Sequence, residues 1–321
     1  MRGTGTVTRG LVLAIGLAAL GGTAAAEGYP SRAVEVVTPF NAGSTVDLLL
    51  RAFADGMSKS LKGTFVVINR PGASGTIAIS SVATAKPDGY TLAFGPNGQV
   101  AIQTHLHKDL PYKGPESFEF ICQAWENPFV IAVAQNSPYK SLKDIFDAAK
   151  KAPGKLSWGD IGVATVPNLQ MLILAQAAGV TMTHVPYRTY PEMILNAKNN
   201  LLDFIVPSPG SIIGQDLRVV AIVGDKRLDR FPGVPTVGEL GFPELLPGFG
   251  GLYAPKGIPA DARQKLEAAC VDATKTEEWK KVVERTDSTL AFLPGAEFAK
   301  RMAANTQQFG EVLKKLDIKP Q

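Results

Sequence analysis

Short β-branched runs alternate with segments of helical periodicity, and this alternation constrains the fold more than any other feature of the sequence. Short runs that are mostly β-branched or aromatic occupy 34–37, where Glu35 is the exception, and 65–68. The apolar positions between them recur at helical spacing from Val46 to Leu61. A second helix over 76–85 leads through a turn to a strand over 90–94. Strands joined through helices pair in parallel. We therefore predict an α/β fold with largely parallel sheets.

The same pattern restarts after Pro138, which predicts a second α/β lobe. Its predicted elements are a helix containing Ile145 and Phe146, a strand over 155–158, a helix over 167–178, a strand over 183–187, a helix over 192–198, and strands over 202–206 and 218–223. Residues 232–251 are rich in Pro and Gly, as expected of a helix-poor return crossing between lobes. Helices with one strand, over 289–293, follow from Pro259 onward.

The amino terminus has the order of a secretory signal peptide. Arg2 and Arg9 precede an apolar run over 11–20, and three alanines end at Ala26. The apolar run is about half of the roughly 20 residues that span a bilayer. We expect cleavage after Ala26, export to the periplasm and no stable membrane insertion. Loss of the two arginines lowers the formal net charge from +4 to +2.

Charge and composition exclude several classes of function. With 33 Lys and Arg against 29 Asp and Glu, the chain lacks the basic surplus of a nucleic-acid-binding protein. It contains no dinucleotide or P-loop motif. His105 and His107 form the one close pair of metal-ligand type, which at this spacing is typical of surface residues, so we expect no metal and no cofactor. Whether Cys122 and Cys270 pair in the oxidising periplasm stays open.

Three predicted loops lead from a strand into a helix and are candidates for ligand binding. The loop over 39–47 places Ser44 and Asp47 at capping-box spacing. The loop over 69–76 carries two glycines, and the loop over 159–165 opens the helix that contains Asn168. The amide groups at a helix start bind anions without a basic side chain. The alternative for Ser44 and Asp47 is ordinary helix capping.

Motifs of hydrolases and metalloproteases are missing, and we do not expect an enzyme. An enzymatic alternative would use Asp47, Asp160 or Asp203 as a base. Another alternative is a sensory module that binds a solute in order to dock with a membrane receptor or kinase. His184 lies in an apolar strand and is expected to be a hydrogen-bonded core residue, with a place near a cleft as the alternative.

Six motifs in a fixed order carry a resemblance to one family, and the likeness runs over essentially the whole mature sequence. The motifs are Tyr29-Pro30-Ser31-Arg32, Pro39-Phe40-x-Ala42-Gly43-x-x-x-Asp47, Asn69-Arg70-Pro71-Gly72-Ala73-x-Gly75, Pro87-Asp88-Gly89-Tyr90-Thr91-Leu92, His184-Val185-Pro186-Tyr187-Arg188 and Pro232-x-Val234-Pro235-Thr236-Val237-x-Glu239-x-Gly241. The chain resembles the Bug family, the extracytoplasmic solute-binding proteins of tripartite tricarboxylate transporters.

The resemblance implies a two-lobed periplasmic binding protein of type II-like architecture. Each lobe would hold a mixed, mainly parallel sheet flanked by helices, with the ligand in the cleft between lobes. We expect residues 27–127 with 249–321 in one lobe, 128–248 in the other, and hinges near 127–128 and 248–252. The implied partners are a small carboxylate and membrane transporter subunits, and the receptor is expected to be a monomer.

The resemblance, together with the loops above, nominates a set of ligand-binding residues from both lobes. The set is Phe40, Asn41, Ala42, Ser44, Thr45, Asp47, Ala73, Ser74, Gly75, Asp160, Gly162, Ala164, Thr165, Asn168, Arg188 and Asp203. Asp47 is expected to organise the helix start, because a carboxylate facing an anionic ligand would repel it. Asp203 is expected to position Arg188 or to hold water.

The chain departs from the family pattern at the second lobe. A histidine is common in the family at the position of Asn168, and an acidic residue at the position of Pro207. Both changes fall where the protein would contact the distal end of a ligand. Two opposed helix starts plus Arg188 suit two anionic groups, so a dicarboxylate is the leading ligand class.

Overall fold

The computed structural model describes residues 1, 3, 28–286 and 288–315. The predicted signal peptide, 1–26, lies outside the described residues except for its first and third. The strands are β1 Val34–Thr38, β2 Phe65–Asn69, β3 Thr91–Pro96, β4 Phe118–Asn127, β5 Phe129–Ala134, β6 Ser157–Asp160, β7 Thr183–Pro186, β8 Phe204–Ile205, β9 Leu217–Val223, β10 Gly248–Pro255 and β11 Thr289–Pro294. The helices are α1 Thr45–Leu61, α2 Thr76–Ala83, α3 Gly98–Ala101, α4 Gln103–Leu106, α5 Leu142–Lys151, α6 Val166–Ala178, α7 Tyr190–Lys198, α8 Ala260–Lys275, α9 Glu277–Arg285 and α10 Gly295–Lys315.

Two mixed sheets organise these elements into two lobes. The first lobe holds six strands in the order β11-β4-β10-β3-β1-β2, and the second holds five in the order β7-β6-β8-β5-β9. In the first lobe, α1, α8 and α9 cover one face of the sheet, and α2, α3 and α10 cover the other. In the second lobe, α5 and α6 pack on one face and α7 on the other. The expected α/β fold with flanking helices is confirmed.

Helix α1 shows how local sequence produces an element of this fold. Ser44 caps its start, and Leu49, Leu50, Phe53 and Met57 form one buried stripe at helical spacing. The helix ends at Leu61, and the C-cap residue Lys62 adopts a left-handed conformation with φ of 51°. Through this stripe, α1 packs against the sheet at β1 and against α8, as the periodicity predicted.

The expected mainly parallel pairing holds for only part of each sheet. Strand β1 pairs in parallel with β2 and β3, and β6 pairs in parallel with β7 and β8. Strands β10, β11 and β5 make antiparallel pairs. The difference arises because the sequence analysis did not identify β4, β5 and β10, the strands that enter and leave the second lobe.

Strand β10 was missed because its glycines were read as chain breakers. A Cβ atom on Gly250 would lie 2.3 Å from the Trp125 ring, and one on Gly251 would lie 2.0 Å from the Cys122 carbonyl oxygen. Glycine is therefore required where this central strand approaches β4. Elsewhere the boundaries shift by a few residues: β6 includes Gly159 and Asp160, which the sequence had placed in a loop.

The chain passes between the two sheets at two places. Strand β4 ends at Asn127 and β5 begins at Phe129, so a single residue separates the sheets there. The return runs from the end of β9 to Gly248 without a helix, as expected from its composition. These passages coincide with the predicted hinges, whose movement stays a prediction.

A charged network lies beside these passages. The Arg301 guanidinium of α10 contacts the Glu126 carboxylate, which is 6% exposed, and its Nη2 lies 3.6 Å from Asp225 Oδ2. Lys226 Nζ lies 3.4 Å from the other Glu126 oxygen. Asp225 and Lys226 lie just beyond the end of the second-lobe strand β9, after Gly224, so this network joins the two lobes. The same guanidinium lies 4.6 Å above the Phe249 ring of β10.

Cys122 and Cys270 form a disulfide, which settles the pairing that the sequence left open. The bond links β4 to α8 across the first lobe, with the two Cα atoms 6.5 Å apart. Both residues are fully buried. Because 148 residues separate them in sequence, the crosslink closes a long loop in the unfolded chain.

Replacement of both cysteines by alanine is expected to lower the free energy of unfolding by about 2–5 kcal/mol. The loss arises chiefly because the unfolded chain gains conformational freedom. Urea denaturation of the wild type and the double variant measures the difference, and a thiol assay on the denatured wild type should find no free thiol. Equal urea midpoints would contradict the prediction.

Candidate functional site

A cavity of about 660 Å³ lies between the two lobes. It opens at the carboxyl ends of β1, β3 and β6, which is where α/β sheets bind ligands. Both lobes contribute to its wall. The lining residues are Pro39, Phe40, Ser44, Thr45, Val46, Gly72, Ser74, Gly75, Pro96, Asn97, Gly98, Gln99, Ile102, Gln103, Trp125, Asn127, Phe129, Ile161, Val163, Ala164, Thr165, Val166, Pro167, Arg188, Thr189, Tyr190, Ser208, Gly248, Phe249 and Thr286.

A larger groove of about 1000 Å³ lies on the outside of the first lobe, between α8 and α10. Three of its charged side chains are paired with one another: Glu119 lies 3.1 Å from Arg263 and 3.2 Å from Lys256. The groove receives none of the three strand-to-helix loops. We therefore place the candidate ligand site in the cavity between the lobes.

The start of α1 forms one side of the cavity. Ser44 Oγ accepts a hydrogen bond from the Asp47 N–H at 3.3 Å, which is half of the predicted capping box. The Asp47 side chain accepts instead from the Gly43 N–H at 2.8 Å, one residue farther back, because the Ser44 N–H donates to the Asn41 carbonyl. The first-turn amides of Thr45 and Val46 have no preceding helical carbonyl to donate to.

The Asp47 carboxylate holds this loop in place. It is 1% exposed and also accepts hydrogen bonds from Asn69 Nδ2 at 2.8 Å and Arg51 Nε at 3.0 Å. Burial alone would raise its pKa, but the hydrogen bonds from Arg51, Gly43 and Asn69 lower the pKa below its usual value. Asp47 does not line the cavity, which agrees with the expected role of an organiser.

The second loop of the first lobe is strained. Gly72, Ala73, Ser74 and Gly75 have φ angles of 122°, 46°, 51° and 89°. Non-glycine residues rarely adopt such angles, and runs of them concentrate at ligand sites. A Cβ atom on Gly75 would lie 2.5 Å from Gln99 Cγ, so glycine is needed for the loop to approach the start of α3. Ser74 and Gly75 line the cavity.

The second lobe repeats the same arrangement at the start of α6. Asn168 Oδ1 accepts a hydrogen bond from the Ala164 N–H at 3.0 Å, as Asp47 does from Gly43. Ala164 has a positive φ of 57°, again matching Gly43. At both helix starts, the side chain three residues after the N-cap residue therefore accepts a hydrogen bond from the N–H of the residue that precedes the N-cap. Ala164 and Thr165 line the cavity opposite α1.

A polar cluster supports this loop from behind. Asp160 Oδ1 accepts from the Gly162 N–H at 2.8 Å and lies 2.9 Å from His184 Nε2. His184 Nε2 also lies 3.3 Å from Asn168 Nδ2, and its ring packs against Trp158. Asp160 is fully buried. His184 is thus the hydrogen-bonded residue that the sequence predicted, and it supports the cleft without lining it.

Arg188 supplies the charge on the second-lobe side. It lines the cavity, and its guanidinium makes no hydrogen bond or ion pair with any residue that the structure describes. Nearby, burial raises the pKa of Tyr190 to about 12, although its hydrogen bonds with Ser208 act in the opposite direction. The Tyr190 phenol is therefore neutral at physiological pH. Among the described lining residues, Arg188 carries the one formal charge.

Half of the residues nominated from the sequence line the cavity. These are Phe40, Ser44, Thr45, Ser74, Gly75, Ala164, Thr165 and Arg188. Another seven belong to the same loops or helix starts without lining it: Asn41, Ala42, Asp47, Ala73, Asp160, Gly162 and Asn168.

Asp203 is wrongly placed by the sequence analysis. Its carboxylate accepts hydrogen bonds from the Ser157 N–H at 2.7 Å and the Ser157 hydroxyl at 3.1 Å. Ser157 begins β6, whereas the cavity lies at the other end of that strand. Asp203 therefore neither faces a ligand in the cleft nor positions Arg188.

Several lining residues were missed. Gln99 lies in α3, directly after a fourth strand-to-helix connection that follows β3, and this signal was present in the sequence. Asn127 and Phe249 lie at the passages between lobes, where the sequence predicted hinges and not ligand contacts. Trp125 and Phe129 belong to strands that were not identified.

The histidines outside the cleft are engaged elsewhere. His105 Nε2 lies 2.9 Å from the Thr306 carbonyl oxygen, and His107 Nε2 lies 3.1 Å from Gln103 Oε1.

Over residues 28–286 and 288–315, no three His, Cys, Asp or Glu side chains come together in a way that would hold a metal ion. No helix in the same part of the chain is long and apolar enough to span a membrane.

Comparison with known proteins places the chain among transport receptors. The family model described as "Tripartite tricarboxylate transporter family receptor" matches residues 49–318. A UPF0065 protein of Cupriavidus necator is 30% identical over 314 residues, which cover 95% of this chain and 94% of the relative.

Solved structures share the fold. One described as a periplasmic transporter is 34% identical, with a TM-score of 0.75 over 91% of this chain and 99% of that chain. A TctC solute binding protein from Polaromonas is 25% identical, with a TM-score of 0.78 over 89% of this chain and 99% of that chain. The predicted fold of a periplasmic binding protein is confirmed.

Replacement of Asp47 by Asn is expected to destabilise the protein by about 2–3 kcal/mol at neutral pH, because hydrogen bonds to a charged acceptor are lost in a buried place. The pKa of Asp47 is lowered in the folded state, so the contribution of the carboxylate is complete above the ordinary value of 3.8 and disappears as the pH falls below it. The stability difference between wild type and variant should therefore shrink in acid.

Urea denaturation between pH 3 and 7 measures this difference. Asp55 to Asn is the matched control, since Asp55 lies on the same helix in an exposed pair with Lys59 and should change stability by less than about 0.5 kcal/mol. Equal effects of the two substitutions would contradict the role given to Asp47.

Proposed function

Because this chain belongs to the tripartite tricarboxylate transporter receptor family, we propose that it captures a small organic carboxylate in the cleft between its lobes and delivers it to membrane transporter subunits. The proposal includes export through the predicted signal peptide at 1–26, action in the periplasm as a monomer, and closure of the lobes about 127–128 and 248–252.

One observation carries the choice of an anion. The starts of α1 and α6 face the cavity from opposite lobes, and the unpaired Arg188 is the one charged side chain among the described lining residues. Helix starts have a partial positive charge and free N–H donors. No carboxylate in the described lining opposes an anionic ligand, since Asp47 and Asp160 are buried behind their loops.

A dicarboxylate is the finer proposal. Two opposed helix starts suit two anionic ends, and Arg188 adds a charged donor on the second-lobe side. Proteins of similar fold have been solved with adipate, at 23% identity, and with malate, at 24% identity. The apolar lining between the two helix starts, which includes Phe40, Ile102 and Val163, suits the body of such an acid.

Two other functions receive less support. An enzyme using Asp47, Asp160 or Asp203 as a base would need that carboxylate at the ligand, and none of the three lines the cavity. A sensory module uses the same cleft and differs in its partner. Deletion of the gene separates the two: loss of uptake supports a transport receptor, whereas loss of gene induction with intact uptake supports a sensor.

Thermal unfolding of the mature protein against mono-, di- and tricarboxylates of graded length tests the proposal. A ligand that binds only the folded state raises its stability by RT ln(1 + [L]/Kd). We expect a rise in Tm for dicarboxylates of one chain length. Absence of any shift, after removal of co-purified acid by unfolding and refolding, would contradict the proposal.

Replacement of Arg188 by Gln is expected to weaken binding of the stabilising acid by about 10- to 100-fold, because a charge-assisted hydrogen bond is lost. Isothermal titration measures the change. Arg227 to Gln is the control: Arg227 pairs with Glu239 on the second-lobe surface and does not line the cavity. Equal affinities of wild type and the Arg188 variant would remove Arg188 from the site.

A further inference from the structure

Two carboxamide side chains in the cavity wall have no hydrogen-bond partner. Gln99 and Asn127 both line the cavity, and the buried Gln99 Oε1 and Asn127 Oδ1 accept no hydrogen bond within the described residues. Their amide nitrogens make none to these residues either. Each side chain therefore has its full hydrogen-bonding capacity unused.

Other amide side chains near the cleft are paired. Asn97 Nδ2 donates to Asn305 Oδ1 at 2.6 Å, and Gln103 Oε1 lies 3.1 Å from His107 Nε2. Gln170 has one unpartnered oxygen, but its nitrogen donates to the Leu246 carbonyl at 2.6 Å. Gln99 and Asn127 differ from all of these, since both residues line the cavity and their carboxamides bond through neither end.

The backbone fixes where both side chains lie. The aliphatic part of Gln99 packs against Gly75, where a Cβ atom would come within 2.5 Å of Gln99 Cγ. Asn127 ends β4 opposite Gly248 of β10, in the wall of the passage between lobes. Both carboxamides thus belong to the first lobe, whereas the start of α6 and Arg188 belong to the second.

A ligand that satisfies these groups needs more than carboxylates. A carboxamide presents a donor and an acceptor, and a hydroxyl group is both, so a hydroxyl pairs with the carboxamide in either of its two orientations. A methylene group in the same place leaves the buried amide atoms without a partner, which is unfavourable. A site built to bond a hydroxyl discriminates strongly against an analogue that lacks one.

We propose that Gln99 and Asn127 are specificity-determining residues that bind hydroxyl groups on the body of the ligand, which makes the ligand a hydroxylated carboxylic acid. This inference rests on the proposed function, because the helix starts and Arg188 take the carboxylates. Gln99 and Asn127 then select among acids of equal length.

Matched pairs of acids test the inference by isothermal titration. The probes are succinate against malate, with four carbons, and adipate against galactarate, with six. In the pair whose length fits the cavity, we expect the wild type to bind the hydroxylated member 10- to 100-fold more tightly. In the Gln99→Leu and Asn127→Leu variants this ratio should fall toward one, through weaker binding of the hydroxylated acid.

Gln103→Leu is the matched control. Gln103 also lines the cavity, but its carboxamide is already paired with His107, so the ratio should stay at the wild-type value whatever happens to each affinity. Circular dichroism and thermal unfolding check that each variant folds, and Asn127→Ala replaces Asn127→Leu if the larger side chain prevents folding.

The outcomes separate the two proposals. Equal binding of both members of each pair overturns the inference and leaves the carboxylate receptor standing. A hydroxyl preference that survives in both leucine variants also overturns it, because the hydroxyl is then bound elsewhere. Absence of binding by all four probes, and by the wider panel of acids, contradicts the proposed function and the inference with it.

Discussion

The buried carboxylate of Asp47 holds together the side of the cleft on which the rest of the site depends. It collects donors from Gly43, Asn69 and Arg51, and so ties the loop after β1 to the end of β2. Since its oxygens are used in this way, its charge is directed into the protein and not toward the cavity. The first-turn amides of α1 are left free on the cavity side.

In the second lobe, a neutral side chain holds the loop before the helix start. Asn168 holds Ala164 as Asp47 holds Gly43, and the charged member of its surroundings, Asp160, lies one layer deeper beside His184. Both lobes thereby present a helix start whose supporting side chain bonds backward into its own loop. The proposed anion binding then depends on backbone geometry, with Arg188 as the added side-chain charge.

The two halves of the site depend on the narrow passages between lobes. Gly250 and Gly251 let β10 approach β4 closely, and Arg301 contacts Glu126 of β4, Phe249 of β10 and Asp225 of the second lobe. Phe249 lines the cavity, and its ring also contacts the Arg301 guanidinium. The relative position of the lobes is therefore coupled to the cavity wall by direct contacts.

Sequence periodicity was sufficient to predict the elements that have one buried face, such as α1, and to locate the loops that follow β1, β2 and β6. It failed for β10, where the glycines serve close packing and not a turn, and for β4, whose residues are buried on both faces. Asp203 was misplaced because it lies beside Ser157, at the start of β6, whereas the cavity lies at the carboxyl end of that strand. The sequence pattern did not show at which end of the sheet Asp203 would lie. The unpaired state of Gln99 and Asn127 is a property of three-dimensional packing, which no local pattern reveals.

A crystal structure of the mature protein with the acid that gives the largest rise in Tm would show whether the two helix starts hold the ligand. We expect one carboxylate within hydrogen-bond distance, about 2.7–3.2 Å, of the Thr45 and Val46 amides, and the second-lobe end of the acid at Arg188 and the start of α6. An acid bound in the groove between α8 and α10, or in the cleft without contact to the α1 amides, would contradict it.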